Sequence, residues 1–495
     1  MKNVLTISLL AISIHAFAQS PDLGKGISYS IETSGTLSTG DNAPLWLTAN
    51  RQGLGSIERN SAYERAGLFR SMDHDSLRQW RLGYGIDLVA TQNGVANVMV
   101  HQAYAEAAYK KISVIIGAKE RAIDLRNNRL TSGGMSLGIN ATPTPQVLVE
   151  VDEFSVPFTN HWWKLSGRLG YGMTTDGHWQ KSWAAEETKR TGNILTHEKA
   201  FYMHFGREDR FPLTGVVGIQ MFAQFGGTSY NITGRNHRDK SIPLHHPENL
   251  NAFWHAFWPM GSNGDETDGT VTNVEGNQLG SYNVALQWKG KGWAVRTYAE
   301  RFFEDHSMLT FQYGIYDHLL GIDATLPHNR WVSHVLVEHL STKDQAGPVY
   351  HDATHNMPDA IAGVDNYYNH SNYAGWQHWG MTMGHPFITA PLYNSPHELF
   401  FFNNRVQAWH IGLDGNPCSE VNWRFLLSLT QNWGCYYFPL SDMQRQWHGL
   451  LEVDYAPKQF KGWSAQLGLG LDHGDINGNN TGFQLKIRKK GILIP

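Results

Sequence analysis

Residues 463–472 read Trp-Ser-Ala-Gln-Leu-Gly-Leu-Gly-Leu-Asp. Every second side chain (Trp463, Ala465, Leu467, Leu469, Leu471) is apolar, and the alternate set (Ser464, Gln466, Gly468, Gly470, Asp472) is small or polar. Successive side chains of a strand point to opposite faces, so this pattern makes a strand with one wet face and one apolar face. Residues 420–434 repeat it, setting Val421, Trp423, Phe425, Leu427, Leu429 and Trp433 against Glu420, Asn422, Arg424, Ser428, Thr430 and Asn432. So do Trp80, Leu82, Tyr84, Ile86 and Leu88 against Arg81, Gly83, Gly85 and Asp87, and Tyr282, Val284, Leu286 and Trp288 against Ser281, Asn283, Ala285 and Gln287. A soluble sandwich alternates too. Repetition in strands of about ten residues, with Trp or Tyr ending the apolar face, is instead the mark of a membrane barrel, whose lipid band is bounded by aromatic girdles.

Extending the pattern gives strands at about 25–36, 61–72, 78–91, 97–109, 112–118, 146–158, 163–174, 200–208, 214–226, 280–288, 292–304, 309–322, 332–342, 403–413, 420–434, 447–456, 463–472 and 481–490. The connections 119–145, 175–199, 227–279 and 343–402 are long, and each leaves an odd-numbered strand. The tight turns at 110–111, 289–292, 414–417 and 457–462 each leave an even one. A barrel with both termini in the periplasm must segregate its loops in this way. The expected fold is therefore all-β: a transmembrane antiparallel β-barrel of about eighteen strands, with long extracellular loops and short periplasmic turns. Eighteen strands enclose a lumen wide enough for water. In this reading Leu427 faces lipid and Ser428 faces the lumen, so an arginine should cost much less at 428 than at 427.

The start of the chain agrees. Lys2, the apolar run Val4 to Ile14 and the small-x-small triplet Ala16-Phe17-Ala18 make residues 1–18 an export signal, leaving 19–495 as the barrel domain. The apolar run is too short to span a bilayer as a helix, and no later stretch is long enough. A formal net charge of −4 on 495 residues gives no reason to expect a nucleic acid or another polyanion as partner. Cys418 and Cys435 are the only cysteines, too few for a disulfide scaffold. If residues 420–434 form one strand, the two thiols stand roughly 50 Å apart and cannot pair. The chain ends Lys489-Lys490-Gly491-Ile492-Leu493-Ile494-Pro495, without the terminal aromatic common in outer-membrane strands.

Three stretches carry a family resemblance. The first runs from Phe253-Trp254 through the acidic residues Asp265, Glu266 and Asp268 to Gly276-Asn277-Gln278-Leu279-Gly280 and Glu304-Asp305. The second is Tyr367-Tyr368 through Tyr373 and Gly375-Trp376 to Gly384-His385-Pro386; the third is Leu130 to Met135 followed by Asn140 to Pro145. In these the chain resembles the Wzi-type capsule assembly family of outer-membrane proteins, with Gly276, Asn277, Gln278 and Gly280 the most specific part. The resemblance implies an eighteen-stranded outer-membrane barrel that acts as a lectin and holds capsular polysaccharide at the cell surface. Enterobacterial members carry a helical segment before the barrel, whereas strand-like residues begin here near Ile27.

The long loops hold Phe253, Trp254, Phe257 and Trp258, then Tyr367, Tyr368, Tyr373, Trp376 and Trp379. Aromatic rings in wet loops suit the C–H faces of sugars, with nearby amides and carboxylates taking the hydroxyls. The same rings could instead pack the loops into a lid. The carbohydrate-binding set read from sequence is Trp254, Trp258, Tyr367, Tyr368, Trp376 and Trp379. Asp265, Glu266 and Asp268 could take a hard cation, but read better as a solvated turn. His351, Asp352 and His355 lack the His-Glu-x-x-His pattern. Inward charges such as Asp87, Glu106, Arg168, Arg296, Glu300 and Arg424 are explained by pairing across the lumen. No phosphate loop, Gly-x-Ser-x-Gly elbow or zinc-type cysteine pattern occurs. The expectation is a non-enzymatic monomer of the outer membrane, in contact with lipid and surface or capsular polysaccharide, without nucleic acid, cofactor or metal. The alternative is a porin or transport channel for small solutes.

Overall fold

The computed structural model describes residues 22–233, 237–259, 275–304, 316–345 and 365–495, with the backbone of two short strands, Val349–Tyr350 and Ile361–Ala362. The expected export signal at 1–18, the acidic residues 265–268 and the cluster His351, Asp352, His355 lie outside the described residues.

Eighteen strands form one sheet. They are β1 Ile27–Thr39, β2 Asn60–Arg70, β3 Trp80–Gln92, β4 Val98–Tyr109, β5 Ile112–Ala118 and β6 Gln146–Ser155. Next come β7 Trp163–Met173, β8 Leu195–Phe205, β9 Leu213–Phe225, β10 Asn277–Lys289, β11 Ala294–Glu304 and β12 His318–Thr325. The set ends with β13 His334–Ser341, β14 Val406–Cys418, β15 Val421–Gly434, β16 Pro439–Tyr455, β17 Trp463–Gly474 and β18 Asn480–Ile494. Each pairs antiparallel with its sequence neighbours, and β18 pairs with β1, from Thr39↔Thr481 to Ile27↔Ile494, which closes the barrel and abolishes its edges. Among the described residues no helix is long and apolar enough to cross a membrane. The long connections leave odd strands, as expected. The twelfth strand is displaced: it begins at His318 rather than 309, and residues 309–315 lie outside the described residues. The unusual C-terminal run is wall, since Lys489–Ile494 continues β18 along β1.

Burial separates a barrel from a soluble sandwich. In β17 Leu469 is 44% exposed while Asp472, on the opposite face, is 5% exposed. The apolar face is therefore the outer one and the polar face is covered, an inversion that water would not tolerate and lipid requires. Aromatic pairs ring the short-turn end: Trp80 with Tyr109 at 4.9 Å, Trp163 with Phe205 at 6.3 Å, and Phe211 with Trp288 at 5.8 Å.

The polar face is covered because the long-loop connections fold back into the lumen. Trp46, Leu130, Met135, Tyr367, Tyr368, Trp376, Phe387 and Phe401 form one cluster with the inward wall residues Phe222, Leu279, Leu336, Leu426 and Leu450. This overturns the expected tolerance of Ser428. Its Oγ accepts from Trp46 Nε1 at 3.2 Å and lies 2.7 Å from His410 Nδ1, with the other ring nitrogen of His410 on the Leu130 carbonyl at 2.7 Å. Ser428 is a buried joint between wall and plug.

Candidate functional site

Polar residues on the inner wall hold the plug at stated points. Glu338, in β13, accepts from Thr131 Oγ1 at 2.7 Å, the Ser132 amide at 2.7 Å and Ser132 Oγ at 2.5 Å, and Tyr298 donates to it as well. Glu300, in β11, accepts from Arg126 at 2.7 Å, from the Met135 and Ser136 amides at 3.1 and 3.2 Å, and from Ser136 Oγ at 3.1 Å. On other sides Arg121 reaches Glu198 at 2.7 Å, and the Leu45 amide reaches Asp472 at 3.0 Å. Buried carboxylates need such partners, and here most of the donors come from the segment 126–136.

Gly276-Asn277-Gln278-Leu279-Gly280 has a structural explanation of the same kind. Gly276 sits at φ +79°, and a Cβ there would fall 2.4 Å from the Gln224 carbonyl. Asn277 points inward and donates to Gln224 Oε1 at 2.8 Å, whose own amide donates to the Gly375 carbonyl of the plug at 3.1 Å. Gln278 points outward and donates to the His255 carbonyl at 3.0 Å. Consecutive residues of one strand thus tie the plug to one side of the wall and a helix, Leu250–Phe257, to the other.

The six rings expected to share a sugar-facing surface fall in three places. Tyr367, Tyr368 and Trp376 are core, with Tyr367 fully buried. Tyr367 donates to Asp317 at 2.9 Å, Trp376 donates to the Ser136 carbonyl at 2.8 Å, and Tyr368 donates to the Met135 carbonyl. For these three the expected contact with an outside glycan is corrected: their rings are spent on packing loops into the lumen. Trp254 and Trp258 are exposed, but on the outer side of the wall, away from the lumen. Trp379 alone is half-buried within the outer dome.

Around Trp379 the structure assembles rings that sequence reading missed. The helix Gly177–Trp183 carries Trp179 and Trp183 at i, i+4, stacked at 5.0 Å. Trp183 stacks in turn on the exposed ring of His397 at 4.5 Å, and Trp379 meets Trp179 at 6.2 Å. Asp176 fixes the geometry by accepting from the Trp379 amide at 3.1 Å, Gln180 at 3.0 Å and Gln377 at 3.3 Å. The i, i+4 spacing of Trp179 and Trp183 was the available signal, but the partners come from a segment some two hundred residues away. Trp179 is the buried base of this column. What the column offers outward is the exposed ring of His397, the part-buried Trp183 between the two and the half-buried Trp379, beside fixed polar groups, the composition that carbohydrate contacts use.

Asp87, His101 and Glu120 bring ligand atoms within 4.8 Å of one another. Arg65 lies among them, donating to Asp87 at 2.7 Å and Glu120 at 2.6 Å, so the protein supplies the cation itself.

The dome carries a pH-sensitive element. A small sheet joins Arg190–Gly192, Thr228–Tyr230 and Leu244–His245. Beside it His246 is buried, 2.8 Å from Ser229 Oγ and packed on Tyr373 at 4.8 Å. Burial first, then the neighbouring His245 charge, push its pKa down from 6.5 to about 4. Above about pH 6.5 the ring is neutral folded or unfolded. Between about 6.5 and 4 only the unfolded loop takes the proton, so stability falls as pH falls, by about 2 kcal/mol at pH 5. Limited proteolysis should cut this region faster at pH 5 than at pH 7.5, and a His246→Asn variant should lose most of that difference.

No protein-family model matches the chain, and no curated protein does. Among solved structures the chain is similar to Wzi of Escherichia coli, described as an outer-membrane, carbohydrate-binding β-barrel involved in group 1 capsule assembly, with a TM-score of 0.58 and 13% identity over 97% of this chain and 87% of that one. It also aligns with two Pseudomonas aeruginosa proteins, OprD (TM-score 0.46, 7% identity, 95% of this chain and 96% of that) and OccK3 (0.47, 9%, 94% and 96%). At such identity the Wzi likeness is one of fold, and the other two carry no argument. The chain is a closed eighteen-stranded β-barrel of the outer membrane, with its short turns in the periplasm and its long loops outside.

Proposed function

We propose that this barrel binds capsular or another surface polysaccharide on its outer dome and helps to hold it at the cell without catalysis, a reading supported by the fold likeness to Wzi, a carbohydrate-binding barrel involved in capsule assembly. The observation that carries the reading is the filled lumen. The outer connections enter the barrel and are hydrogen-bonded to the wall through Glu300 and Glu338, which favours the dome rather than a channel as the working surface. Trp183, His397 and Trp379, seated on the buried Trp179, are the part of that dome best suited to sugar rings. The porin alternative would need an open path, and the packed cluster around Trp46, Trp376 and Phe387 argues against one.

The test is retention. Deleting the gene should shift polysaccharide from the cell-bound to the released fraction. Trp183→Ala with Trp379→Ala should do the same in part while leaving the barrel assembled, each lost contact removing on the order of 1–2 kcal/mol. Unchanged retention in the deletion strain, together with no glycan binding by the purified protein, would leave a purely structural barrel.

A further inference from the structure

The helix Leu250–Phe257 lies against the outside of the wall. Its Ala252 and Ala256 are buried with Ala223 and Phe225 of β9, and Tyr171, Leu195 and Phe253 pack on the same cluster. Those wall positions alternate with the inward Glu198, Phe222 and Gln224, and share their face with the lipid-exposed Leu169, Phe201 and Val217. The helix is fixed there. Asn249 caps its start by accepting from the Ala252 amide at 3.0 Å, Tyr171 donates to the Phe253 carbonyl at 3.0 Å, and Gln278 donates to the His255 carbonyl.

Register gives its height and its roll. Tyr171, His197 and Ala223 form one row across β7, β8 and β9; Leu169, Lys199 and Met221 form the row two residues nearer the membrane centre. Phe257 sits under Lys199 Nζ at 4.6 Å and meets His197 at 5.9 Å, so its flank spans the upper row and the row below it. His255 faces the other way, pairing at 2.5 Å with Glu275, which precedes β10 at the outer rim. The polar flank thus points out of the membrane and the aromatic flank toward it. Away from the wall runs a stripe at i, i+4, i+8: Leu250, 88% exposed, then Trp254 at 57% and Trp258 at 59%.

A large apolar side chain and two indoles left bare, directly above a lipid-facing belt and continuous with it, match one environment. Indoles favour the boundary between acyl chains and headgroups, and helices lying in that plane bury their apolar flank there. We propose that Leu250–Phe257 is an interfacial anchor, with Leu250, Trp254 and Trp258 seated at the acyl–headgroup boundary of the outer leaflet. The adjoining strand start Asn277-Gln278 then couples membrane depth to the plug, since its two side chains grip the helix and the Gln224–Gly375 contact. This assignment is independent of what the dome binds.

Single cysteines at Leu250 and Trp254, in a Cys418→Ser background that leaves only the buried Cys435, would carry nitroxides for collision measurements in phospholipid vesicles. Leu469→Cys marks the lipid belt and Glu186→Cys the exposed dome. Labels at 250 and 254 are expected to collide more with oxygen than with a water-soluble nickel chelate, as at 469, and unlike 186. Nickel-dominated collisions at both positions would overturn the anchor. So would two other results: dipolar broadening between labels at 254, which would put a second copy on this face, or immobilisation there only when surface polysaccharide is added, which would make it a glycan site.

Discussion

Glu300→Ala should turn a closed barrel into a leaky one. The parent protein is expected to pass little or no current in planar bilayers, and the variant to show frequent openings. Glu300 is the ion-pair partner of Arg126, whose guanidinium lies 4.1 Å over the Tyr298 ring, and it also accepts from two amides and a hydroxyl of the segment 135–136. Alanine leaves a buried cation and two amides without their acceptor, while Ser136 Oγ keeps Gln220 and Ser281 as neighbours. Breaking a buried pair by removing one partner costs about 3–5 kcal/mol. That penalty falls on the docking of the plug, because β11 keeps its backbone ladders to β10 and β12. Removing Arg126 as well should recover part of the loss, since no charge is then stranded. A variant that stays as electrically silent and as resistant to protease in residues 119–145 as the parent would show that the plug is held elsewhere.

Leu427→Arg should destabilise the folded barrel by about 2–4 kcal/mol, the range for a cation near the bilayer midplane. Leu427 lies at the middle of β15, between Ile411 and Gly449 on its neighbours. Ser428→Arg should cost at least as much, for a different reason: the longer side chain must displace Trp46 and His410 and bring an unpaired charge into a packed core. Unfolding titrations in lipid vesicles measure both. A tolerated Ser428→Arg beside a damaging Leu427→Arg would mean that the lumen is open at this level.

The wall was legible because a two-faced strand writes itself as a period of two, and eighteen such segments with segregated loops admit few topologies. Burial then reversed one part of that reading. Asp472 and Ser428 look like wetted positions in sequence, yet they are covered, because what covers them comes from connections that have no period to read. The same lack of period hid the division among the aromatic residues. Tyr367, Trp254 and Trp379 are all rings in long loops, and whether a ring ends in the lumen, outside the wall or on the dome depends on which strand face its loop folds against. The twelfth strand was misplaced where alternation was weakest. Gly276 to Gly280 stands out in the sequence as a motif, and the reason for it, opposite faces gripping opposite partners, lies in contacts between segments far apart along the chain.

At the periplasmic mouth lies a cavity of about 580 Å³ lined by Glu153, His161, Lys164, His204, Arg207 and Glu208, and among the described residues the packed plug stands between it and the dome. If the parent passes little or no current, as expected above, this is a blind cup, in which small solutes from the periplasm would find no exit and compounds outside no entry. A cell could then carry many copies of this protein without making its envelope more permeable, so abundance at the surface would be uncoupled from the barrier that every open channel weakens.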